Sequence, residues 1–91
     1  MQREFYISAI LNEAVAKSEA MAQAVTAAAQ RFNSKDWGKV PDEDKALNNA
    51  DLEARSGHVL GRYDSPEGDL YINMEFHPDR EIAVIMFRSE Y

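Results

Sequence analysis

Along the first third of the chain, apolar or small side chains recur at Ile7, Leu11, Ala14, Ser18, Met21, Val25, Ala28 and Phe32, alternating steps of four and three. That spacing lays them along one face of a helix. Ser18 sits on the stripe but suits an N-cap ahead of Glu19, and Lys17 suits the last turn of a preceding helix. The pattern therefore predicts two helices, near residues 8–16 and 18–32, in preference to one rod. A coiled coil is the competing reading, with a seam weakened by alanine and serine. The turn formers Asn33-Ser34-Lys35-Asp36-Trp37-Gly38 follow, and Pro41 with Asp42-Glu43-Asp44 opens a third helix with acids at its positive end. There Leu47, Ala50 and Ala54 share a face, Gly57 is the expected C′ residue, and the weak apolar content predicts a helix lying on the surface of the core.

After Gly57 the period falls to two. Strands are predicted near residues 58–64, 69–76 and 81–88, joined by Ser65-Pro66-Glu67-Gly68 and His77-Pro78-Asp79-Arg80, each with proline at the second turn position. The fold expected is α+β: two or three N-terminal helices on a three-stranded antiparallel meander, in one domain spanning residues 1–91. Residues 4–7 offer a fourth edge strand, with strand and helix competing for Ile7. If His77 pairs with Arg80, then Leu70, Ile72 and Met74 share a face with Phe87, Ile85 and Ala83, the face expected to meet the helices. The other face carries Tyr71, Asn73 and Glu75 beside Met86, Val84 and Ile82 and is too apolar to stand open to water. Tyr71, Ile82, Val84 and Met86 are therefore expected to be covered, by a helix of the same chain or by a second subunit in a homodimer.

Composition removes whole classes of function. With no cysteine there is no disulfide framework, thiolate metal site or thiol nucleophile, which suits a reducing compartment. The longest apolar run, Ile82 to Phe87, is six residues, where a membrane-spanning helix needs about 20. No apolar segment follows Met1-Gln2-Arg3-Glu4 as a secretory signal requires. A cytoplasmic protein with no membrane partner is expected. The net charge of −6 argues against direct binding to nucleic acid, and it is uneven: residues 1–35 carry +1 and the chain from Asp36 onward carries −7.

Little suggests catalysis. His58 and His77 are the only histidines, and His77-Pro78-Asp79 with Glu75 is an incomplete ligand set, so neither a metal nor a cofactor is expected. No serine lies in a Gly-x-Ser-x-Gly elbow, and the four glycines are too dispersed for a phosphate loop. The chain is read as a non-enzyme. Trp37 is expected chiefly to anchor its loop on the core, with partner contact as the competing role.

Phe5-Tyr6-Ile7-Ser8, Asp36-Trp37-Gly38, Glu43-Asp44, Leu47-Asn48, Gly57, Tyr63, Asp79-Arg80 and the closing Phe87-Arg88-Ser89-Glu90-Tyr91 together resemble a family of short proteins encoded on bacterial plasmids and phages, with an Asp-Trp-Gly loop and a Glu-Tyr end. The chain departs from that pattern at Lys39, where an acid is usual, and around Phe76-His77-Pro78. The resemblance carries over no catalytic residue. It implies a mobile-element setting, in which small acidic proteins block host defences as anti-CRISPR or antirestriction inhibitors. Carboxylates can occupy a groove built for phosphate, and same-face strand residues stand about 6.5–7 Å apart, near the phosphate spacing of one nucleic-acid strand. The expected partner is a protein with a basic nucleic-acid-binding groove. The expected contacts are Asp42, Glu43 and Asp44, then Asp64, Glu67 and Asp69, with Trp37 beside them. An antitoxin-like or regulatory module using the apolar helical stripe is the alternative.

Overall fold

The computed structural model describes residues 2–91. Strand β1 (Gln2–Ile7) ends at Ser8, whose hydroxyl accepts the Leu11 amide at 3.2 Å and so caps α1 (Ala9–Lys17). Ser18 repeats the device, accepting the Met21 amide at 3.2 Å, and separates α1 from α2 (Glu19–Asn33). Two helices form, as the cap residues predict. Leu11, Met21, Val25, Ala28 and Phe32 are all buried, so the apolar stripe is consumed inside the chain and is not a coiled-coil seam.

Helix α3 (Asp42–Ala54) starts as expected and ends differently. Its left-handed terminating residue is Arg55, with φ 53°, two positions before Gly57. A non-glycine residue is unusual there. Arg55 is held by its own side chain, which donates to Glu81 at 2.8 Å and to the His77 carbonyl at 3.1 Å. The expected contact face is also wrong. Leu47, Ala50 and Ala54 are exposed, while Asn48, Leu52 and Arg55 turn towards the sheet.

Strands β2 (His58–Tyr63), β3 (Leu70–Phe76) and β4 (Arg80–Phe87) form the meander, followed by a 3-10 turn at Arg88–Glu90. Leu70 pairs with Phe87, Ile72 with Ile85 and Met74 with Ala83, the register predicted from the turn, and these side chains form the floor of the core under α1 and α2. The sheet is not a purely antiparallel meander. Its order is β1-β4-β3-β2, and β1 runs parallel to β4 with Phe5 beside Ala83. A parallel neighbour needs a long crossover, here the three helices and two strands between Ile7 and Arg80. β4 is thereby central, which accounts for a strand apolar on both faces.

The outer edge of β2 is closed residue by residue. The Asn48 side chain donates to the Leu60 carbonyl at 2.8 Å and accepts its amide at 3.2 Å, reproducing a strand partner with one side-chain amide. At Arg62, the amide donates to the Trp37 carbonyl at 3.0 Å and the carbonyl accepts from Lys39 at 2.8 Å. The loop can come this close because residue 38 is glycine: with φ +76°, a Cβ there would stand 1.9 Å from the Arg62 carbonyl oxygen. No helix among the described residues is long and apolar enough to cross a membrane.

Candidate functional site: the outer face of helix α3

The face of α3 that carries Leu47, Ala50 and Ala54 is turned to solvent. The sheet-facing side of α3 joins the apolar Leu52 to Asn48, which bonds the Leu60 backbone, and to Arg55, which bonds Glu81 and the His77 carbonyl. Its solvent side runs Glu43, Leu47, Ala50, Ala54, with Leu47 61% exposed. Asp42, Glu43, Asp44 and Glu53 are exposed on the same helix, and among the described residues the leading trio makes one ion pair, Lys45 with Asp42 at 3.8 Å. Asp42, Glu43 and Asp44 sit in the first turn, where the helix dipole favours them, so they stabilise α3 while standing exposed to solvent. Beside them lies a cleft of about 280 Å³ lined by Val40, Leu47 and Leu60, with Asp44, Asp51 and His58 around it.

Asp64, Glu67 and Asp69 behave differently. Lys39 reaches Asp64 at 2.5 Å and Asp69 at 2.8 Å, and Arg62 reaches Asp69 at 2.6 Å. Hydrogen bonds from Lys39 and then Arg62 hold the Asp69 carboxyl below the usual carboxylate range, and Asp64 and Asp69 together raise the Lys39 ammonium. Two of the three carboxylates are thus already neutralised, leaving Glu67 on the turn. None of the six expected contact acids lies within a strand, so strand spacing does not set their separation; helix and turn geometry do. It is the Lys39 ammonium that closes the cluster.

Trp37 is 2% exposed and packs edge-on to Phe32, ring centroids 5.1 Å apart, while its indole N–H donates to the Asn49 side-chain oxygen at 2.9 Å. Its ring offers no surface to a partner. Asp36 accepts two bonds from Arg31, at 2.7 and 3.2 Å, and one from the Gly38 amide at 3.1 Å, which keep its carboxyl low. The Asp36 carbonyl accepts the Tyr63 hydroxyl at 2.9 Å, and burial pushes that phenol up. At the C-terminus, Glu90 accepts from the Ser8 hydroxyl at 2.9 Å and the Phe87 amide at 2.8 Å, and Tyr91 packs edge-on to Tyr71. Most of the motif residues therefore hold the fold. The side chains of Glu43, Asp44 and Leu47 make no hydrogen bond or ion pair among the described residues, and Glu43 and Asp44 support α3 only through the helix dipole.

Sequence patterning missed one polar centre. Glu81, 7% exposed, is held between Arg3 at 2.7 Å and Arg55 at 2.8 Å, with Arg3 also donating to Asn33. Arg3 lies over the Phe32 ring and Arg55 over Phe76. This triad ties β1, β4 and the ends of α2 and α3 together. Alternation alone marks Glu81 as core-facing between Ala83 and the turn, which was the available signal.

On the far face of the sheet, Tyr71, Ile82, Val84 and Met86 are half-buried. No helix of the described residues lies across them; α1 and α2 occupy the opposite face, and only Tyr91 leans on Tyr71. Among the described residues no three His, Asp or Glu side chains are grouped to hold a metal ion. Comparison of the chain with protein-family models, with curated proteins and with solved structures finds no match.

Proposed function

We propose that the protein is a non-enzymatic inhibitor of a mobile genetic element, whose α3 binds the basic groove of a host nucleic-acid-handling complex of the CRISPR or restriction type and excludes DNA or RNA from it. The observation that carries this reading is α3's outward face: an exposed leucine among carboxylates whose one ion pair among the described residues is the 3.8 Å contact of Asp42 with Lys45, on a helix held to the sheet edge through Asn48. An interface of that composition joins an apolar anchor to charges that steer and orient. The cleft beside Leu47 suits a lysine or arginine of the partner, its alkyl stem against Val40 and Leu60 and its charge near Asp44 and Asp51. The −7 balance from Asp36 onward and the mobile-element resemblance support the same partner class. The antitoxin-like alternative relied on the long apolar stripe, which is buried in the core.

The test is capture from a lysate of the native host, followed by mass spectrometry, with three baits: the parent chain, Leu47→Asp and Asp64→Asn/Asp69→Asn. The parent and the double variant should retain a nucleic-acid-binding protein that Leu47→Asp loses. Equal capture by all three would remove α3 as the binding face.

A further inference from the structure

The two edges of the sheet are treated differently. β2 is sealed by Asn48 and by the Trp37–Lys39 loop. At β1, the Ser8 amide donates to the Ile85 carbonyl and Ile7 stands beside Ile85, so Tyr6 and Ser8 point their backbone groups at β4. In a parallel pair successive residues alternate, so Arg3, Phe5 and Ile7 direct theirs outward. Among the described residues nothing bonds to them. Nor does β1 carry the proline or bulge that blunts a free edge. Tyr6 (52% exposed), Ile7 (39%) and Ile10 (61%), three of the five exposed large hydrophobic side chains among the described residues, cluster on this strand and in the first turn of α1.

We infer that β1 is a homodimer edge: two copies pair antiparallel through β1, with Phe5 on the two-fold axis, joining the sheets into one of eight strands. The strand is self-complementary in this register. Phe5 faces Phe5 of the second copy and Arg3 faces Ile7 of the second copy, so all three outward residues complete their ladders. On the far face Glu4 stands opposite Tyr6, a carboxylate against a phenol. Shifting the axis to residue 4 sets Glu4 against itself, and shifting it to residue 6 leaves Arg3 without a partner. Charge permits the approach, because residues 1–35 are balanced to +1 and α3 packs along β2 at the opposite edge. The pairing leaves the outer face of α3 free, so the inference does not depend on the proposed function.

Sedimentation velocity of the full chain across micromolar to millimolar concentrations tests the inference. The mass should rise from 10.3 kDa to twice that value, with amide exchange at Phe5 and Ile7 slowing as concentration rises. Tyr6→Glu, at an exposed position whose hydroxyl donates to Glu4 of its own strand at 2.8 Å, sets like charges opposite Glu4 of the second copy and should weaken the dimer about 2- to 30-fold, two such pairs being formed, with the melting temperature of the dilute monomer as the control for folding. Tyr6→Lys, facing Glu4, should retain or tighten it. Ile7→Pro removes an outward donor without touching the β4 ladder and should abolish dimerisation. A monomer at every concentration overturns the inference, as does a dimer indifferent to both Tyr6→Glu and Ile7→Pro. Equal weakening by Tyr6→Lys and Tyr6→Glu overturns the register.

Discussion

Trp37 and Glu81 show how single side chains decide this fold. Trp37 fills the space between α2 and the loop that closes β2, so Trp37→Ala should lower stability by about 3–5 kcal/mol, read as a lowered urea midpoint. An unchanged midpoint would contradict the anchoring role. Glu81 pairs with two arginines at once, one on each carboxylate oxygen. Because Arg3 and Arg55 are 21% and 32% exposed, solvent screens part of what is lost, and Glu81→Ala should cost about 2–4 kcal/mol, below the full penalty for stranding a buried charge. Asp36 and Asp69, both held below their ordinary range, contribute stability that is complete above the unfolded aspartate value of about 3.9 and lost as pH falls through their lowered values. Thermal unfolding followed from neutral to acid pH should show that loss, and Asp36→Asn should flatten it. The burial of Trp37 was legible, because a tryptophan between turn formers has few other uses. The triad was not: Arg3, Arg55 and Glu81 are far apart in the chain, and nothing local announces their meeting.

At the scale of elements, the helix boundaries and the hairpin register followed from caps and turns, which act over a few residues. The inner face of α3 did not. Leu47, Ala50 and Ala54 form the better apolar stripe, yet β2 needed an edge partner, and Asn48 satisfies two backbone groups that would otherwise stand open. Hydrogen bonding at the sheet edge outweighed a stripe of one leucine and two alanines. Asn48→Ala should therefore destabilise the protein by about 1–3 kcal/mol, whereas Leu47→Asp should change stability by only about 0.5 kcal/mol. Denaturant titration of the pair checks this ordering, and the reverse order would place Leu47 in the core. Likewise, β1 was readable as a strand from Phe5-Tyr6-Ile7, but its parallel place beside β4 depends on the helices crossing the sheet, a long-range arrangement that no local pattern encodes.

Across the whole molecule, the acids differ in what holds them. Asp64 and Asp69 are tied to Lys39 and Arg62, the buried Glu81 to two arginines, and the carboxylates of α3 make one ion pair among the described residues, Asp42 with Lys45. Association through them should weaken as salt rises, and Glu43→Lys/Asp44→Lys should slow association more than it alters melting. The central claim, that this face excludes nucleic acid from a basic groove, is tested most directly by competition. The captured partner is loaded with labelled DNA or RNA and titrated with the protein. Displacement of the label that saturates with occupancy, and is lost with Leu47→Asp, is the result predicted. A partner that binds this protein to saturation and keeps its nucleic acid would contradict the claim.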